Sequence, residues 1–294
     1  MTVAERAQSQ TWTIEAVLRW ATEDFRARGL DKPLLDAQVL LAHALATSRT
    51  QLIIDAKKPL APEELARFRD MVKRRRAHEP VAYVLGAREF YGRSFRVDKR
   101  VLVPRPDTET LVDVALARTE ACSMSMRALD LCTGSGCVAI TLAKQRATAR
   151  VHATDMSPDA LAVAAENAQR LGAYNLSLSC GDLFDAVPPG LPPFDVVTAN
   201  PPYVATAEIA SLSRDIQEHE PRLALDGGAD GLSVVRRIVA GAPDVLAPGG
   251  VLAVEVGAGE APAVARLFEE RGFLHVTITR DYGRIERVVD GIRP

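Results

Sequence analysis

The chain has 294 residues, of which 47% are hydrophobic and 25% charged, as is typical of a folded globular protein with room for two domains. Its 36 Lys and Arg residues nearly balance its 38 Asp and Glu residues, and this argues against a dedicated nucleic-acid-binding protein. The four cysteines form no Cys-x-x-Cys pair and no histidine cluster accompanies them, so neither a zinc site nor a disulfide framework is expected. No apolar stretch approaches the about 18 residues of a membrane span, and no signal or transit sequence is recognisable. We therefore expect a cytoplasmic protein that contacts no membrane and binds no nucleic acid directly.

Residues 1–80 are predicted to form an all-helical domain. Apolar residues recur at helical spacing in three stretches separated by turn signals: 14–20, 34–45 and 65–72. Over residues 81–103, aromatic and β-branched residues alternate with polar ones, and a glycine lies between them. This alternation predicts a β-hairpin linker over residues 81–105.

Residues 106–294 are predicted to form an α/β domain in which strands and helices alternate. The predicted strands are 128–131, 151–154, 176–180, 194–199, 251–256, 274–279 and 287–290. The helix after the second strand has Ser157 at its N-cap, Pro158 at its first position and Gly172 just past its end. The alternation predicts a mostly parallel seven-stranded sheet covered on both faces, whose last two strands form an antiparallel hairpin.

The most informative segment is the tetrapeptide Asn200-Pro201-Pro202-Tyr203, which directly follows the fourth predicted strand. Open α/β sheets bind their ligands at the carboxyl ends of the strands. Proline fixes its own φ and keeps the residue before it extended, so Asn200 and Pro201 are held rigidly. The Asn200 side-chain oxygen and the Pro201 carbonyl can then accept both hydrogens of an NH2 group. The segment predicts a site that grips an amide or amino nitrogen, although alone it also fits a Pro-stiffened turn.

A glycine-rich turn, Cys132-Thr133-Gly134-Ser135-Gly136, follows the first strand of this domain. Its two glycines allow a tight turn and a close approach of the backbone to a ligand. Asp155 ends the next strand, where a carboxylate commonly accepts hydrogen bonds from ribose hydroxyls. The turn therefore predicts an adenosine-type cofactor, but its G-x-G-x-x-A spacing also fits NAD.

Asp182, after the third strand, is a candidate acceptor for the adenine amine with Leu183 as an apolar ring contact, although Asp182 also fits a turn or a helix cap. The Asn-Pro-Pro-Tyr segment decides between the cofactors. A dehydrogenase has no use for a clamp on NH2, whereas methyl transfer to nitrogen does. Two fixed acceptors aim the nitrogen lone pair at an electrophilic methyl group and stabilise the positive charge that develops on nitrogen. No metal or covalent nucleophile is needed.

At these residues the chain resembles the S-adenosylmethionine-dependent protein-(glutamine-N5) methyltransferases that act on peptide chain release factors. The resemblance extends over nearly the whole chain and is carried by residues 88–91, 103–109, 132–136, 200–203, 220–225, 280–283 and 286–287. The Asn-Pro-Pro-Tyr segment is shared with DNA methyltransferases that act on adenine and on cytosine N4. The segment Pro-Arg-Pro-Asp-Thr-Glu at residues 104–109 is more specific and is similar to the release-factor enzymes.

The resemblance implies a Rossmann-like methyltransferase sheet and S-adenosyl-L-methionine as cofactor. It implies that residues 132–136, Asp155, the Leu183 position and Asn200 contact the cofactor. Residues 200–203 would hold the glutamine of the Gly-Gly-Gln loop of a class-1 release factor, and the helical domain would dock another surface of that factor. The family usually has glycine where this chain has Cys132, so the Cys132 side chain must point away from the cofactor or narrow its pocket. Leu183 replaces a larger aromatic residue found in some relatives.

Other functions and roles stay open from the sequence. The alternatives are a glutamine methyltransferase acting on a ribosomal protein, a nucleic-acid adenine N6-methyltransferase, and a cofactor-binding regulator without activity. An adenine methyltransferase would need a basic surface and a base-flipping pocket, and the near-neutral charge argues against it. Arg105 and Glu109 fit either catalytic roles or a structural ion pair. Glu220 fits either closure of the loop after Tyr203 or a place in the cofactor site.

Overall fold

The computed structural model describes residues 12–122 and 124–294. The chain divides into two units, the first ending at Leu85 and the second running from Gly86 to Pro294. The sequence predicts that the helical domain ends at residue 80 and that a separate linker ends at residue 105. In the structure the boundary follows Leu85, and the hairpin belongs to the second unit.

The first unit is helical throughout its described residues, as the apolar spacing predicts. Its helices are α1 (Ile14–Ala27), α2 (Pro33–Ala44), α3 (Arg49–Ile54), α4 (Pro62–Arg76) and α5 (Val81–Leu85). Phe25, Leu40, Leu41, Leu52 and Phe68 are fully buried and form the centre of its core. Ile53 and Ile54, at the end of α3, are each 70% exposed.

The predicted hairpin is present but shorter than expected. Its strands are β1 (Ala87–Phe90) and β2 (Arg93–Arg96), which pair antiparallel around a two-residue turn. Residues 81–85, predicted as part of the hairpin, are helical instead. The backbone N–H groups of Tyr83 and Val84 donate to the Pro80 carbonyl, and Val84 packs into the core of the helical unit.

The second unit contains the predicted α/β sheet. Its helices are α6 (Glu109–Arg118), α7 (Cys137–Gln145), α8 (Pro158–Leu171), α9 (Arg214–His219), α10 (Ser233–Val245) and α11 (Ala261–Arg271). Its strands are β3 (Arg127–Leu131), β4 (Arg150–Asp155), β5 (Leu176–Cys180), β6 (Phe194–Ala199), β7 (Leu246–Glu255), β8 (Leu274–Arg280) and β9 (Glu286–Ile292). The strand order is β5-β4-β3-β6-β7-β9-β8, in which β9 alone runs in the direction opposite to the other six strands. The predictions of seven strands, a mostly parallel sheet and a final hairpin are confirmed.

Both faces of the sheet are covered because successive residues of its central strands, which point to opposite faces, are apolar. Ala128 and Val196 face one core with α6, α7 and α8, and Leu129 and Val197 face the other with α10 and α11. Helix α8 begins as predicted, since the Ser157 hydroxyl accepts from a backbone N–H at 3.1 Å. No helix among the described residues is long and apolar enough to cross a membrane.

Candidate active site

The cavity of the second unit lies where strands β3, β4, β5 and β6 end. Most of the predicted site residues line it: Cys132, Thr133, Gly134, Ser135, Asp155, Asp182, Leu183, Asn200 and Pro202. Residues that are distant in sequence therefore meet at the carboxyl edge of the sheet, as parallel strands require. Gly136, Pro201 and Tyr203 are not among the lining residues.

The glycine-rich turn is held in place by Asp155. Gly134 has a φ of +54°, and a side chain at this position would meet no atom within 4 Å, so the backbone itself faces open space. Its N–H donates to Asp155 Oδ2 at 2.8 Å, while the N–H of Ser157 donates to Oδ1 at 2.9 Å. Burial raises the pKa of Asp155, and the backbone donors partly oppose that effect. One carboxylate thus ties the turn to the end of β4.

Gly136 has a packing role. It caps α7 with a φ of +80°, and a Cβ there would lie 2.9 Å from Ile140 Cδ1 and 3.2 Å from Ala164 Cβ. Only glycine therefore combines this backbone conformation with the close contact between α7 and α8.

Cys132 lies between the cavity and the core that α10 and α11 cover. The residue lines the cavity in a left-handed conformation with a φ of +56°. Burial raises the pKa of the thiol, so it remains neutral and acts as a small apolar group.

Asp182 and Leu183 lie together at the end of β5. Asp182 Oδ2 forms an ion pair with Arg237 Nη2 of α10 at 2.7 Å, which sequence reasoning did not predict. Leu183 is 8% exposed and has a φ of +48°. A carboxylate and an apolar side chain are thus presented side by side, and the carboxylate keeps further lone pairs for a second donor.

Asn200 is anchored at the cavity by its NH2 group. Its Nδ2 donates to the Thr108 hydroxyl at 3.1 Å. Pro201 is buried, and Tyr203 is partly buried with a pKa that burial raises to about 12. The anchoring of Nδ2 leaves the other end of the amide, the oxygen Oδ1, as the group that can accept from a ligand.

Two residues beside Asn200 were not predicted from the sequence. Thr108 lies in the short turn before α6 and is 2% exposed. Glu255 ends β7 and is 1% exposed, and burial raises its pKa to about 7 against the opposing effects of Thr108, Arg287 and Asn200. Its Oε2 atom has no hydrogen-bond partner among the described residues. The available signal was a glutamate at the end of the apolar strand Ala253-Val254-Glu255, next to β6 in the sheet.

Arg105, Glu109 and Glu220, whose roles the sequence left open, form structural contacts. Arg105 pairs with the buried carboxylate of Glu220 at 2.6 Å, and Glu220 also accepts from the Val103 N–H. Glu109 accepts from the backbone N–H of Tyr91 in the turn of the hairpin at 2.7 Å. These contacts tie the loop after Asn-Pro-Pro-Tyr and the hairpin to the segment before α6.

The chemistry of the site follows from its acceptors. The lining includes the carboxyl groups of Asp130, Asp155 and Asp182, and burial raises the pKa of Asp130 to about 6. Such a site suits a ligand that carries hydroxyl or amine donors, and its negative charge suits a cation. No group of three or more His, Cys, Asp or Glu residues in the described part of the chain could hold a metal ion.

Comparison with known proteins agrees with this geometry. Residues 16–86 match the family described as PrmC N-terminal domain, and residues 123–276 match the family described as Methyltransferase domain. The release factor glutamine methyltransferase of Geobacter sulfurreducens is 43% identical over 282 residues, which are 96% of this chain and 97% of that protein. The enzyme of the same name from Cereibacter sphaeroides is 44% identical over 278 residues, 94% of this chain and 97% of that protein. Among solved structures, a methyltransferase from Pyrococcus furiosus shares the fold at 19% identity with a TM-score of 0.51, over 69% of this chain and 90% of that one.

Proposed function

The chain belongs to the release factor glutamine methyltransferase family, and we propose that it transfers a methyl group from S-adenosyl-L-methionine to a glutamine side chain of class-1 peptide chain release factors. The acceptor is the amide nitrogen, N5, of the glutamine in the Gly-Gly-Gln motif. Because release factors act in translation, the cytoplasm is its place of action.

The lining of the cavity fits the cofactor. Asp155 would accept from the ribose hydroxyls, and Asp182 would accept from the adenine amine with Leu183 against the ring. In the turn at residues 132–135, the backbone of Gly134 faces open space and is accessible to the cofactor. The cofactor supplies an electrophilic methyl group on a positively charged sulfur. The nearby carboxyl groups complement that charge.

Asn200 and Pro201 would hold the substrate amide, with Pro202 and Tyr203 supporting its side chain. A glutamine nitrogen is a poor nucleophile because its lone pair is delocalised into the carbonyl. When the Asn200 Oδ1 atom and the Pro201 carbonyl each accept one of its hydrogens, the lone pair is oriented and electron density on nitrogen increases. The nitrogen becomes strongly acidic after transfer, so its proton can leave without a dedicated base.

The observation that carries the proposal is the anchored Asn200 amide in the cofactor cavity. The 3.1 Å bond from Nδ2 to Thr108 places the acceptor end of the amide opposite that anchor. A site of this kind recognises an NH2 group. A glutamate oxygen in the same place would leave the acceptors of the site buried without hydrogen bonds, and this free-energy cost favours binding of glutamine over glutamate.

The helical unit would bind a separate surface of the release factor. Its two neighbouring isoleucines, Ile53 and Ile54, are exposed and apolar, and such exposed pairs suit protein contacts.

The proposal is tested by incubating the protein with S-adenosyl-L-methionine and a class-1 release factor, and then locating the added methyl group by mass spectrometry. We expect one methyl group on the Gly-Gly-Gln glutamine, and none with Asn200→Ala. Gln145→Ala, which removes an exposed amide outside the cavity, is the matched control and should retain full activity. Methylation of DNA or of a ribosomal protein, with none on the release factor, would overturn the proposal.

A further inference from the structure

The sheet edge next to Asn200 contains a buried carboxyl group that the methyl-transfer scheme does not use. Glu255 ends β7, whose residues Ala253 and Val254 pair with Thr198 and Ala199 of β6, so Glu255 lies beside Asn200 in the sheet. It is 1% exposed, and its Oε2 atom is without a hydrogen-bond partner in the described part of the chain. A buried acceptor without a hydrogen bond destabilises the fold unless it interacts favourably with a neighbouring polar group.

Hydrogen-bond directions among these residues are constrained by their chemistry. Asn200 Nδ2 donates to the Thr108 Oγ1 atom at 3.1 Å, so the single hydroxyl hydrogen of Thr108 must point elsewhere. Glu255 lies beside Asn200 at the end of the neighbouring strand, and the Thr108 and Asn200 side chains both lower the pKa of its carboxyl group against the effect of burial. An ionised carboxylate can only accept, and it therefore attracts the Thr108 hydroxyl hydrogen and the second Nδ2 hydrogen of Asn200.

We propose that Glu255 is a positioning residue that acts through Thr108 to fix the orientation of the Asn200 amide, with Oδ1 toward the substrate nitrogen. The inference rests on the proposed methyl transfer to glutamine. With Glu255 ionised, the NH2 end of Asn200 has acceptors on the Thr108 side. A reversed amide would place Oδ1 against acceptors and would present NH2 to a substrate that also offers NH2. The carboxylate also polarises the Asn200 amide and makes Oδ1 a stronger acceptor.

Protonation of Glu255 removes this preference for one orientation of the Asn200 amide. Burial raises the pKa of Glu255 to about 7, and a protonated carboxyl group can donate to Thr108. The Thr108 hydroxyl then becomes free to donate to Asn200, and the Asn200 amide becomes free to turn its Oδ1 atom toward Thr108. Turnover should therefore rise with pH as Glu255 ionises.

Other titratable groups around Glu255 do not account for a rise in turnover near pH 7. Arg287 of β9 stays charged, and the pKa values of Tyr203 and Cys137 are both raised to about 12. Asp107 also acts on Glu255 through its charge. Asp130, whose pKa burial raises to about 6, lies on the different strand β3, so we expect its titration to persist when Glu255 is replaced.

The test measures kcat, KM for the release factor and cofactor Kd for four variants. Glu255→Met fills the space but has no acceptor, and Glu255→Gln keeps one oxygen but no charge. We expect kcat to fall roughly tenfold or more in Glu255→Met, with KM and Kd within about twofold of the original. In Glu255→Gln the fall should be smaller, and the step in the pH profile near 7 should disappear. Thr108→Val should also lose turnover.

Thr22→Val is the matched control, because the Thr22 hydroxyl is buried in the helical unit without a hydrogen-bond partner among the described residues. It should leave kcat unchanged. Equal kcat values for the original protein, Glu255→Met and Thr108→Val would overturn the inference, as would an unchanged pH profile in Glu255→Gln. If Glu255→Met fails to fold, Thr108→Val and the pH profile decide. Failure of the unaltered protein to methylate the release factor would instead refute the proposed function.

Discussion

Replacement of Asp155 by asparagine tests whether one carboxylate both shapes the glycine-rich turn and binds the cofactor. In the structure, Oδ2 accepts from the Gly134 N–H at 2.8 Å and Oδ1 accepts from the Ser157 N–H at 2.9 Å. Asparagine is nearly isosteric but replaces one oxygen by NH2. Whichever way the amide is turned, a donor then faces one of these two backbone donors.

The magnitude follows from the bonds that are lost. A hydrogen bond to a charged group contributes about 1.5–3 kcal/mol, and each 1.4 kcal/mol is a factor of ten in an equilibrium constant. In the proposed binding mode, Asp155→Asn would remove a charge-assisted acceptor for the ribose hydroxyls and would loosen the turn proposed to contact the cofactor. We therefore expect cofactor Kd to rise roughly 10- to 100-fold.

The measurement is isothermal titration calorimetry with S-adenosyl-L-methionine and with its demethylated product, S-adenosylhomocysteine. Both ligands share the ribose, so both should weaken alike. Asp159→Asn, an exposed carboxylate in the first turn of α8 outside the cavity, is the matched control and should bind as tightly as the original protein. A Kd within twofold of the original for Asp155→Asn would refute this role.

Three further outcomes are expected. Gly136→Ala should reduce the free energy of unfolding by about 2–4 kcal/mol in urea titrations, because strain at positive φ adds to a 2.9 Å contact; an unchanged midpoint would contradict this. Cys132→Gly should lower cofactor Kd a few-fold in calorimetry, because it removes the side chain of a residue that lines the cavity. It should change the free energy of unfolding by less than about 1 kcal/mol, because relief of strain at positive φ offsets the greater chain entropy of glycine. Replacement of both Ile53 and Ile54 by serine should raise KM for the release factor and leave cofactor Kd unchanged, and an unaltered KM would exclude them from docking.

The sequence predicted the sheet well because its signals are local. The strands at residues 176–180 and 194–199 and the Ser157 cap depend on neighbours within a few positions, and each lies where its pattern placed it. Strand β7 was predicted to begin at residue 251 but begins at Leu246, since Leu246 pairs with Phe194 across an irregular register. That pairing depends on another strand and is not visible in the local pattern.

Short helices escaped prediction for a related reason. Helix α3 has six residues and α5 has five, fewer than two full turns, so neither shows a repeated apolar spacing. Helix α6 is apolar on most of its sides because it is buried against the sheet, and its periodicity is correspondingly weak.

The site could be predicted only where a motif marks it. Asn200 and Asp155 follow strands in recognisable segments, and both line the cavity. Thr108 and Glu255 have no motif of their own, because their importance comes from contact with Asn200 across separate elements. The partner of Asp182 is likewise Arg237 on a distant helix.

A crystal structure of the protein with S-adenosylhomocysteine and a release factor would test the central claim most directly. We expect the nitrogen of the Gly-Gly-Gln glutamine to lie about 3 Å from both the Asn200 Oδ1 atom and the Pro201 carbonyl oxygen, facing the sulfur. A glutamine nitrogen held by other groups, or an Asn200 that presents its NH2 end to the substrate, would contradict the account.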